Sequence, residues 1–463
     1  MKRLLVSFFA TAGLSVALPA AGPTNASRPP NIVFILADDM GWNQAGFNGS
    51  AFYETPNIDR LARAGVRFSD AYSAAPICSP TRAALMTGKY PARLHLTDYI
   101  PGRQWEGKPL VNPKMQQGLP LAERTLAERL KERGYATGLF GKWHLADDYD
   151  YQPHRPMDPE SQGFDTVFHT RKPEQADIDP IKPDAHNAAE ITDRAIAFIH
   201  ANRARPFFCY VAHNVVHTPL GEEPALVEKY RRKPGADRPE NIPVMAAMIE
   251  RMDHGVGRLL AALGTAGLAE STLIVFTSDN GNIGPQQAQT PFHGGKATLW
   301  EGGIRVPLAI HWPGVTRAAA TSAEPVITHD LFFTLLAAAD IAASDFPPDG
   351  VSLLHHLRSG APLGRDAIYW HYPHYHHLGD MRPASAIRSG RYKLLEWQEG
   401  ALLARGPAVS LFDLTADPGE ANDLAAAQPT LAAELREKLL RWRASVGAQE
   451  MTVRLAAPRT PAR

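Results

Sequence analysis

Apolar segments alternate with amphipathic segments along most of the chain, and polar residues follow the apolar ones. Residues 31–37 form an apolar run that ends at Asp38 and Asp39, as expected for a strand buried on both faces. Segments with helical spacing followed by apolar runs recur as far as Asp279. This alternation predicts an α/β protein whose mostly parallel sheet is sandwiched by helices.

The pattern changes after about residue 350. The segment ASAIRSGRYKLLEW alternates polar and apolar residues around a turn, and TLAAELREKLLRWRASVG has helical spacing. We therefore expect a large α/β domain over residues 30–350 and a smaller C-terminal domain over 351–450, built from an antiparallel sheet and a covering helix. Residues 451–463 would form a tail.

Residues 1–24 have the layout of a secretory signal peptide. Lys2 and Arg3 precede an apolar run that reaches about Leu18, and small residues follow it. The run is short for a bilayer span of about 20 residues, so a cleaved signal is favoured over a membrane anchor. We expect a secreted or periplasmic protein with no other segment that crosses a membrane.

The charge balance narrows the class of ligand. Apolar residues make up 44% and charged residues 21% of the chain, which is ordinary for a protein with a large core. Lys and Arg together number 48, as do Asp and Glu, so bulk charge gives no reason to expect nucleic acid as a partner. An anionic ligand would have to be bound by a few placed cations.

The chain has two cysteines, Cys78 and Cys209. Exported proteins often contain disulfides. Cys209, however, falls in a predicted buried strand, where cysteine usually acts as a small apolar residue. A Cys78–Cys209 disulfide is therefore the weaker interpretation. Cys78 lies in APICSPTRAALMTG, at the start of a predicted helix, and we expect it to have a separate role.

Oxygen-bearing side chains at two strand ends form a candidate metal site. Asp38 and Asp39 follow one predicted strand, and Asp279 and Asn280 follow another. Ligands of such sheets lie beyond the carboxyl ends of the strands, so these residues are expected to converge. Oxygen ligands without a Cys or His cluster favour Ca²⁺ or Mg²⁺ over zinc. The alternative is a solvated loop that carries an acidic pair.

Basic side chains are predicted at the same edge of the sheet. Lys142 and His144 are two positions apart and would point the same way in an extended chain, although a surface loop is an alternative. His213 and His217 follow another strand, and Lys296 lies in a Gly-rich loop, where backbone can approach a ligand closely. Around a divalent ion these groups favour a compact oxyanion such as sulfate or phosphate.

Together these segments resemble the type I sulfatases. CSPTR followed by TGKYP matches the family signature C-x-P-x-R-x-x-x-x-T-G. NIVFILADDMGW lies upstream, and GKWHLAD, HTP, SDNG and GGKATLWEGGIRVP follow in the family's order. The resemblance covers about residues 30 to 445. It implies an alkaline-phosphatase-like fold, a catalytic role for the large domain and a sulfuric ester hydrolase activity.

The resemblance also implies a modification of Cys78. In type I sulfatases the signature cysteine is oxidised to Cα-formylglycine, by a formylglycine-generating enzyme or by an anaerobic maturase. One hydroxyl of the hydrated aldehyde attacks sulfur, and the second hydroxyl later expels sulfate. A thiol or a serine lacks that second hydroxyl, so neither completes the reaction in this way.

Further residue roles follow from the same resemblance. The implied Ca²⁺ ligands are Asp38, Asp39, modified Cys78, Asp279 and Asn280. Arg82 would hold the formylglycine in place, and Lys142 and His144 would stabilise its hydrated form. The HTP motif marks His217, which with Lys296 would contact the sulfate ester and help protonate the leaving oxygen.

Two segments outside the shared motifs are candidates for substrate recognition, TDYIPGR (97–103) and YWHYPHYHH (369–377). Both resemble segments of bacterial carbohydrate sulfatases, including those similar to galactose and N-acetylgalactosamine 4-sulfatases. Aromatic rings can stack on sugars while His contacts hydroxyls, so we predict a sulfated carbohydrate substrate. The predicted substrate-binding residues are His371, His374, His376 and Arg382. The alternative for 369–377 is an aromatic plug between the domains.

Two other functions stay open at this point. One is a formylglycine-dependent phosphonate or phosphate ester hydrolase of the same superfamily. The other is a catalytically silent homologue that binds sugar.

Overall fold

Four ranges of the chain are described by the computed structural model: residues 28–175, 184–283, 291–378 and 382–454. The predicted signal peptide and residues 455–463 of the predicted tail lie outside these ranges. Within them, every helix is too short or too polar to cross a membrane.

The strands belong to one large sheet and three smaller ones. Those of the described residues are β1 (Asn31–Ala37), β2 (Val66–Phe68), β3 (Ala71–Tyr72), β4 (Leu110–Val111), β5 (Ala136–Gly141), β6 (Thr166–His169), β7 (Phe207–Ala212), β8 (Thr272–Ser278), β9 (Leu308–His311), β10 (Ala320–Ser322), β11 (Val326–Ile327), β12 (Ile368–Tyr372), β13 (Ala384–Ser389), β14 (Tyr392–Trp397), β15 (Val409–Asp413) and β16 (Thr452–Val453).

Local sequence signals explain where several helices begin. Five helices have a proline in their first turn, where its missing N–H costs no hydrogen bond; they begin at Pro56, Pro91, Pro224, Pro243 and Pro429. The α-helices are α1 (Pro56–Ala64), α2 (Cys78–Thr87), α3 (Pro91–Leu94), α4 (Leu126–Glu132), α5 (Ala188–Ala201), α6 (Pro224–Arg231), α7 (Pro243–Thr265), α8 (Glu301–Ile304), α9 (Thr328–Ala338), α10 (Leu354–Ser359), α11 (Gln398–Leu403) and α12 (Pro429–Ser445).

The large sheet confirms the predicted α/β class. Within the described residues it has eight strands in the order β10-β2-β9-β8-β1-β7-β5-β6, and β9 runs antiparallel to both of its neighbours. Strands β8, β1, β7 and β5 lie side by side and parallel at its centre. Their carboxyl ends therefore meet at one edge, which is the edge that the sequence predicts for the site.

Alternate residues of the central strand β1 enter two different cores. Ile32, Phe34 and Leu36 belong to the hydrophobic cluster on one face of the sheet. Val33 and Ile35 belong to the cluster on the other face, where α5 and α7 pack. Because successive side chains of a strand point to opposite faces, an uninterrupted apolar run is what burial on both faces requires.

The C-terminal residues form the predicted antiparallel sheet and covering helix. Strands β12 to β15 pair in sequence order, and α12 packs on β13, β14 and β15. Part of the candidate recognition segment YWHYPHYHH belongs to this sheet, because its first four residues lie in β12 and pair with β13. Side chains in that part alternate between the two faces of a sheet.

A buried ionic cluster joins this small sheet to the large domain. Lys393 of β14 lies 3.0 Å from Glu301 of α8 and 2.9 Å from Glu420, and all three side chains are fully buried. The Tyr72 hydroxyl donates to Glu301 over 2.7 Å. Helix α8 follows the Gly-rich loop that carries Lys296. The C-terminal sheet thus supplies a cation to the element next to that loop.

Candidate active site

Cys78 is the first residue of α2, directly after the extended residue Ile77. All ten residues of α2 are buried, and Gly88 ends the helix in the left-handed conformation with φ 70°. Arg82 lies four residues after Cys78 and therefore on the same face of the helix. The sequence thus presents the thiol and the guanidinium side by side at the carboxyl edge of the large sheet.

Three carboxylates surround the Cys78 thiol. Sγ lies 3.4 Å from an oxygen of Asp38 and 3.9 Å from an oxygen of Asp39, both just after β1. Asp279, just after β8, accepts a hydrogen bond of 3.1 Å from the backbone N–H of Asp39. One potential ligand atom from each of these four residues lies within 4.8 Å of the others. The two strand ends converge as the sequence predicts.

Asn280 completes the oxygen-rich cluster. Its Nδ2 donates to Asp39 over 2.7 Å, whereas its Oδ1 is buried and has no hydrogen-bond partner in the part of the chain that the structure describes. A buried carbonyl oxygen without a donor is costly, and a hard cation satisfies it. Three carboxylates and an amide oxygen therefore fit Ca²⁺ or Mg²⁺.

Three cations each pair with one of the carboxylates. Lys142 Nζ lies 2.8 Å from Asp38, and Lys296 Nζ lies 2.6 Å from Asp39. Arg82 donates to Asp279 from Nε over 3.0 Å and from Nη2 over 2.8 Å. The protein's own charges at the centre thus balance, so a bound divalent cation would leave a net positive site suited to an oxyanion.

The electrostatics favour a charged Asp38 and a neutral thiol, whereas burial raises the pKa of Asp279 to about 6. Burial acts to raise the pKa of Asp38, but Lys142 and other nearby cationic groups lower it well below its ordinary value. Burial, followed by the charge of Asp279, raises the pKa of the Cys78 thiol. A thiol that stays protonated is a weak nucleophile, so the encoded cysteine is poorly suited to direct attack.

Two histidines of the site are neutral and have an assignable tautomer. Burial lowers the pKa of His144 to about 4 and, together with the charge of Lys296, that of His217 to about 3. His144 Nε2 lies 3.0 Å from the Ile100 carbonyl and His217 Nδ1 lies 2.6 Å from the Thr218 carbonyl. Carbonyls only accept, so these nitrogens carry the protons. His144 Nδ1 and His217 Nε2 are left with lone pairs.

His217, and not its rival His213, lies at the site. His217 Nε2 is 3.7 Å from Asp39, whereas His213 is fully buried and neither of its ring nitrogens has a partner within the described residues.

Lys142 and His144 were expected to point the same way because the chain would be extended between them, and this reason is wrong. His144 has φ 55°, so the chain is not extended there, yet both side chains line one cavity.

That cavity also contains Cys78 in its lining and has a volume of about 340 Å³. Its inner part is lined by Cys78, Lys142, His144, His217 and Lys296. Its outer wall includes Tyr99, Tyr149, Arg171, Lys172, His376 and His377. A cation-rich floor below a partly aromatic wall is suited to an anionic ester that carries a polar organic group.

Comparison with known proteins identifies the family. The sulfatase family model matches residues 30–341, and the model of the N-sulphoglucosamine sulphohydrolase C-terminal region matches residues 293–445. The chain belongs to the sulfatase family. It is a sulfuric ester hydrolase, as its resemblance to the type I sulfatases implied.

Curated relatives and solved structures agree with this assignment. Arylsulfatase A of Homo sapiens is 32% identical over 89% of this chain and 86% of its own length. N-acetylgalactosamine-6-sulfatase of Mus musculus is 32% identical over 83% of this chain and 74% of its own. The structure of Ps i-CgsB in complex with k-i-k-neocarrahexaose has a TM-score of 0.74 and 29% identity, covering 90% of this chain and 93% of that one.

The fold extends to other esterases as well. The phosphonate monoester hydrolase of Agrobacterium radiobacter has a TM-score of 0.67 and 21% identity, covering 92% of this sulfatase and all of that chain (100%). This likeness concerns the fold alone.

The four predicted substrate-binding residues of the sulfatase fall in different places. His376 lines the cavity, edge-on to Tyr99 at 5.8 Å between ring centres. His371 lies within β12, with one ring nitrogen 2.8 Å from Ser385 Oγ and the other 2.8 Å from the Gln449 carbonyl. Arg382 lies over the ring of Trp397, 4.2 Å from its centre, and is not part of the cavity lining.

His374 belongs to a buried cluster next to the cavity wall. Its Nε2 lies 2.8 Å from Thr97 Oγ1, and Nδ1 lies 3.8 Å from Asp98. The Tyr372 hydroxyl donates to Asp98 over 2.9 Å. Burial raises the pKa of Asp98 to about 7. The segment 97–103 therefore packs against 369–377, as two parts of one wall.

No sequence pattern pointed to Arg171 and Lys172 of the cavity wall. They follow β6, a short strand of only four residues that are at most partly buried. A search for polar residues after every strand would have found them. Such a short and weakly apolar strand does not stand out in the sequence.

We expect His376→Ala to change substrate choice in the sulfatase and His374→Ala to affect stability. Without His376, kcat/KM on a sulfated sugar should fall about tenfold, the effect of one lost hydrogen bond, while p-nitrophenyl sulfate is hydrolysed nearly as before. Without His374, the buried Thr97 and Asp98 lose a partner, and the free energy of unfolding should fall by about 1–3 kcal/mol. Steady-state kinetics on both substrates and thermal unfolding measure these effects.

The exposed His355 of α10 provides a matched control, since His355→Ala should change neither quantity. Equal losses on the sugar and the aryl sulfate in His376→Ala would contradict the assignment and place His376 in the chemistry.

Proposed function

We propose that this sulfatase hydrolyses the sulfate ester of a sulfated carbohydrate, with a formylglycine made from Cys78 and a bound Ca²⁺. The observation that carries this proposal is the surroundings of Cys78. The Cys78 thiol lies at the start of α2, between Asp38 and Asp39 and 3.4 Å from Lys296 Nζ. This position suits a nucleophile, but a protonated thiol is a weak one. Oxidation of that side chain would resolve the mismatch.

The proposed formylglycine and the proposed Ca²⁺ would have complementary roles. A formylglycine at residue 78 would supply the nucleophilic oxygen, and Ca²⁺ on Asp38, Asp39, Asp279 and Asn280 would polarise oxygens of the sulfate group. Arg82 holds Asp279 in place through two hydrogen bonds and so fixes one side of this ligand set.

The remaining residues can hold or move protons at named atoms. His144 lines the cavity and its Nδ1 has no hydrogen-bond partner within the described residues, so this nitrogen would be available to accept a proton from a hydroxyl at residue 78. Lys142 and Lys296 are buried ammonium groups that would stabilise negative charge on the ester oxygens. His217 Nε2 faces the same space, so a proton taken up there would be available to the leaving oxygen.

A carbohydrate substrate is supported by the relatives and by the wall. One relative is named an N-acetylgalactosamine-6-sulfatase, and one similar structure holds a neocarrahexaose. Galactose or N-acetylgalactosamine sulfates are therefore the proposed substrates, with Tyr99, Tyr149 and His376 as contacts to the sugar. Maturation by a formylglycine-generating enzyme or an anaerobic maturase and a secreted or periplasmic location complete the proposal.

The test is turnover by matured protein on defined sulfated galactose and N-acetylgalactosamine saccharides, with a phosphonate monoester in parallel. We expect sulfate release from at least one sugar, with a kcat/KM well above that on the phosphonate. Preference for the phosphonate would instead indicate a phosphonate hydrolase. Sugar binding without any turnover would indicate a silent homologue.

A further inference from the structure

Lys172 is a cation on the cavity wall that has no acidic partner within the described residues. Its side chain is half-buried and lines the Cys78 cavity, and none of the ion pairs or hydrogen bonds of the described ranges involves it. Burial, together with the charges of Lys142 and Lys296, lowers the pKa of Lys172. A half-buried cation close to two others is unfavourable in the free protein, and a bound anion would relieve this.

Arg171 lies beside Lys172 on the same wall. Its guanidinium carbon is 4.6 Å from the centre of the Tyr149 ring, and it forms an ion pair of 2.8 Å with Glu174. The ring and the carboxylate fix the position of Arg171. Lys172 is therefore the more available cation of the pair, and Arg171 lies beside it on a wall that also carries Asp147 and Asp148.

The wall stands where two cavities meet. The Cys78 cavity of about 340 Å³ and a neighbouring cavity of about 650 Å³ are both lined by Asp148, Tyr149, Arg171 and Lys172. Lys142 and Lys296, in contrast, line only the cavity that contains Cys78. The inner cations are thus placed for the cleaved sulfate, and the outer pair is placed for a group farther along the ligand.

We propose that Lys172 and Arg171 bind a second anionic group, a sulfate or a carboxylate, on the sugar next to the one whose sulfate ester is cleaved. The proposal rests on the carbohydrate sulfatase function proposed above and narrows the substrate to oligosaccharides with at least two anionic groups. A single charged hydrogen bond of this kind contributes about a tenfold gain in affinity.

The test compares probes that differ by one anionic group. Iota-neocarrabiose carries one sulfate more than kappa-neocarrabiose, and the chondroitin 6-sulfate disaccharide adds a uronate carboxylate to N-acetylgalactosamine 6-sulfate. Affinities are measured by calorimetry on the full chain with Ca²⁺, left unmodified at Cys78 so that no probe is consumed. Hydrolysis of p-nitrophenyl sulfate by matured protein reports on the proposed function separately.

We expect the more anionic member of at least one pair to bind about tenfold more tightly, and Lys172→Ala to abolish most of that preference. Lys172→Arg should retain it. The control Arg317→Ala removes an exposed cation just before β10, at the opposite edge of the sheet, and should have no effect. The pair that responds identifies the second group as sulfate or carboxylate.

Two results would overturn the inference. One is an unmodified protein that prefers the more anionic member of neither pair. The other is a Lys172→Ala protein that loses affinity equally for both members, since Lys172 would then serve the cleaved sulfate. Failure of matured protein to hydrolyse any sulfate ester would count against the proposed function alone, because the calorimetric comparison does not depend on turnover.

Discussion

Protein that retains a thiol at residue 78 is expected to fold and to hydrolyse no sulfate ester. The buried thiol stays protonated, and it lacks the second hydroxyl through which a hydrated formylglycine would expel sulfate. Active protein should show a mass about 18 Da below the encoded value in the peptide that contains residue 78, the difference between CH₂SH and CHO. Peptide mass spectrometry and sulfate release, measured on one preparation, test both statements.

Variants at the two cysteines separate chemistry from packing. Cys78→Ala should bind sulfated sugar without turnover, and Cys78→Ser should fold and be inactive unless the host's anaerobic maturase accepts serine. Cys209, a fully buried residue of β7, is the matched control, and Cys209→Ala should remain active. Full activity in protein proven to carry the unmodified thiol would falsify the mechanism and favour direct attack by cysteine.

Chelation of the proposed divalent ion is expected to abolish activity, and Ca²⁺ should restore it. Without the ion, the oxygens of Asp38, Asp39, Asp279 and Asn280 have no common cation, and the site is no longer net positive. Binding to the folded state should also stabilise it, by about 2.7 kcal/mol when Ca²⁺ is at 100 times its Kd. Sulfate release and thermal unfolding, each followed during chelation and calcium titration, provide two independent measurements.

Asp39→Asn should lose most of the calcium-dependent stabilisation, since it removes one ligand charge. Asp237→Asn, which changes an exposed carboxylate after α6, should retain it. Recovery of activity with zinc alone, and not with calcium, would show that the ligand assignment is wrong.

The large sheet and the residues at its edge were predictable because one physical rule governs both. Apolar runs ending in polar residues mark parallel strands, and parallel strands bring Asp38, Lys142, His217 and Asp279 to one edge over long sequence separations. The roles of these residues remain predictions, but their convergence did not need a structure.

The residues of the cavity wall were less predictable, because local strand pairing decides which side chains face the cavity. The sequence grouped His371, His374 and His376 as one aromatic segment. Pairing of β12 with β13 instead places His371 inside the small sheet, and His374 contacts Thr97. Only His376 of the three reaches the cavity. Side-chain direction in a short segment follows from partners that the local sequence does not reveal.

The buried contact between Lys393 and Glu301 bears on how this family could diversify. The small sheet supplies Lys393, one of the cations that pair with Glu301 next to the loop of Lys296, so it is not a freely interchangeable module. A chimera that joined residues 30–350 to a foreign C-terminal sheet would leave Glu301 without that cation unless the new sheet supplied a basic residue at the same place. The two regions are therefore expected to have diverged together, as one heritable unit.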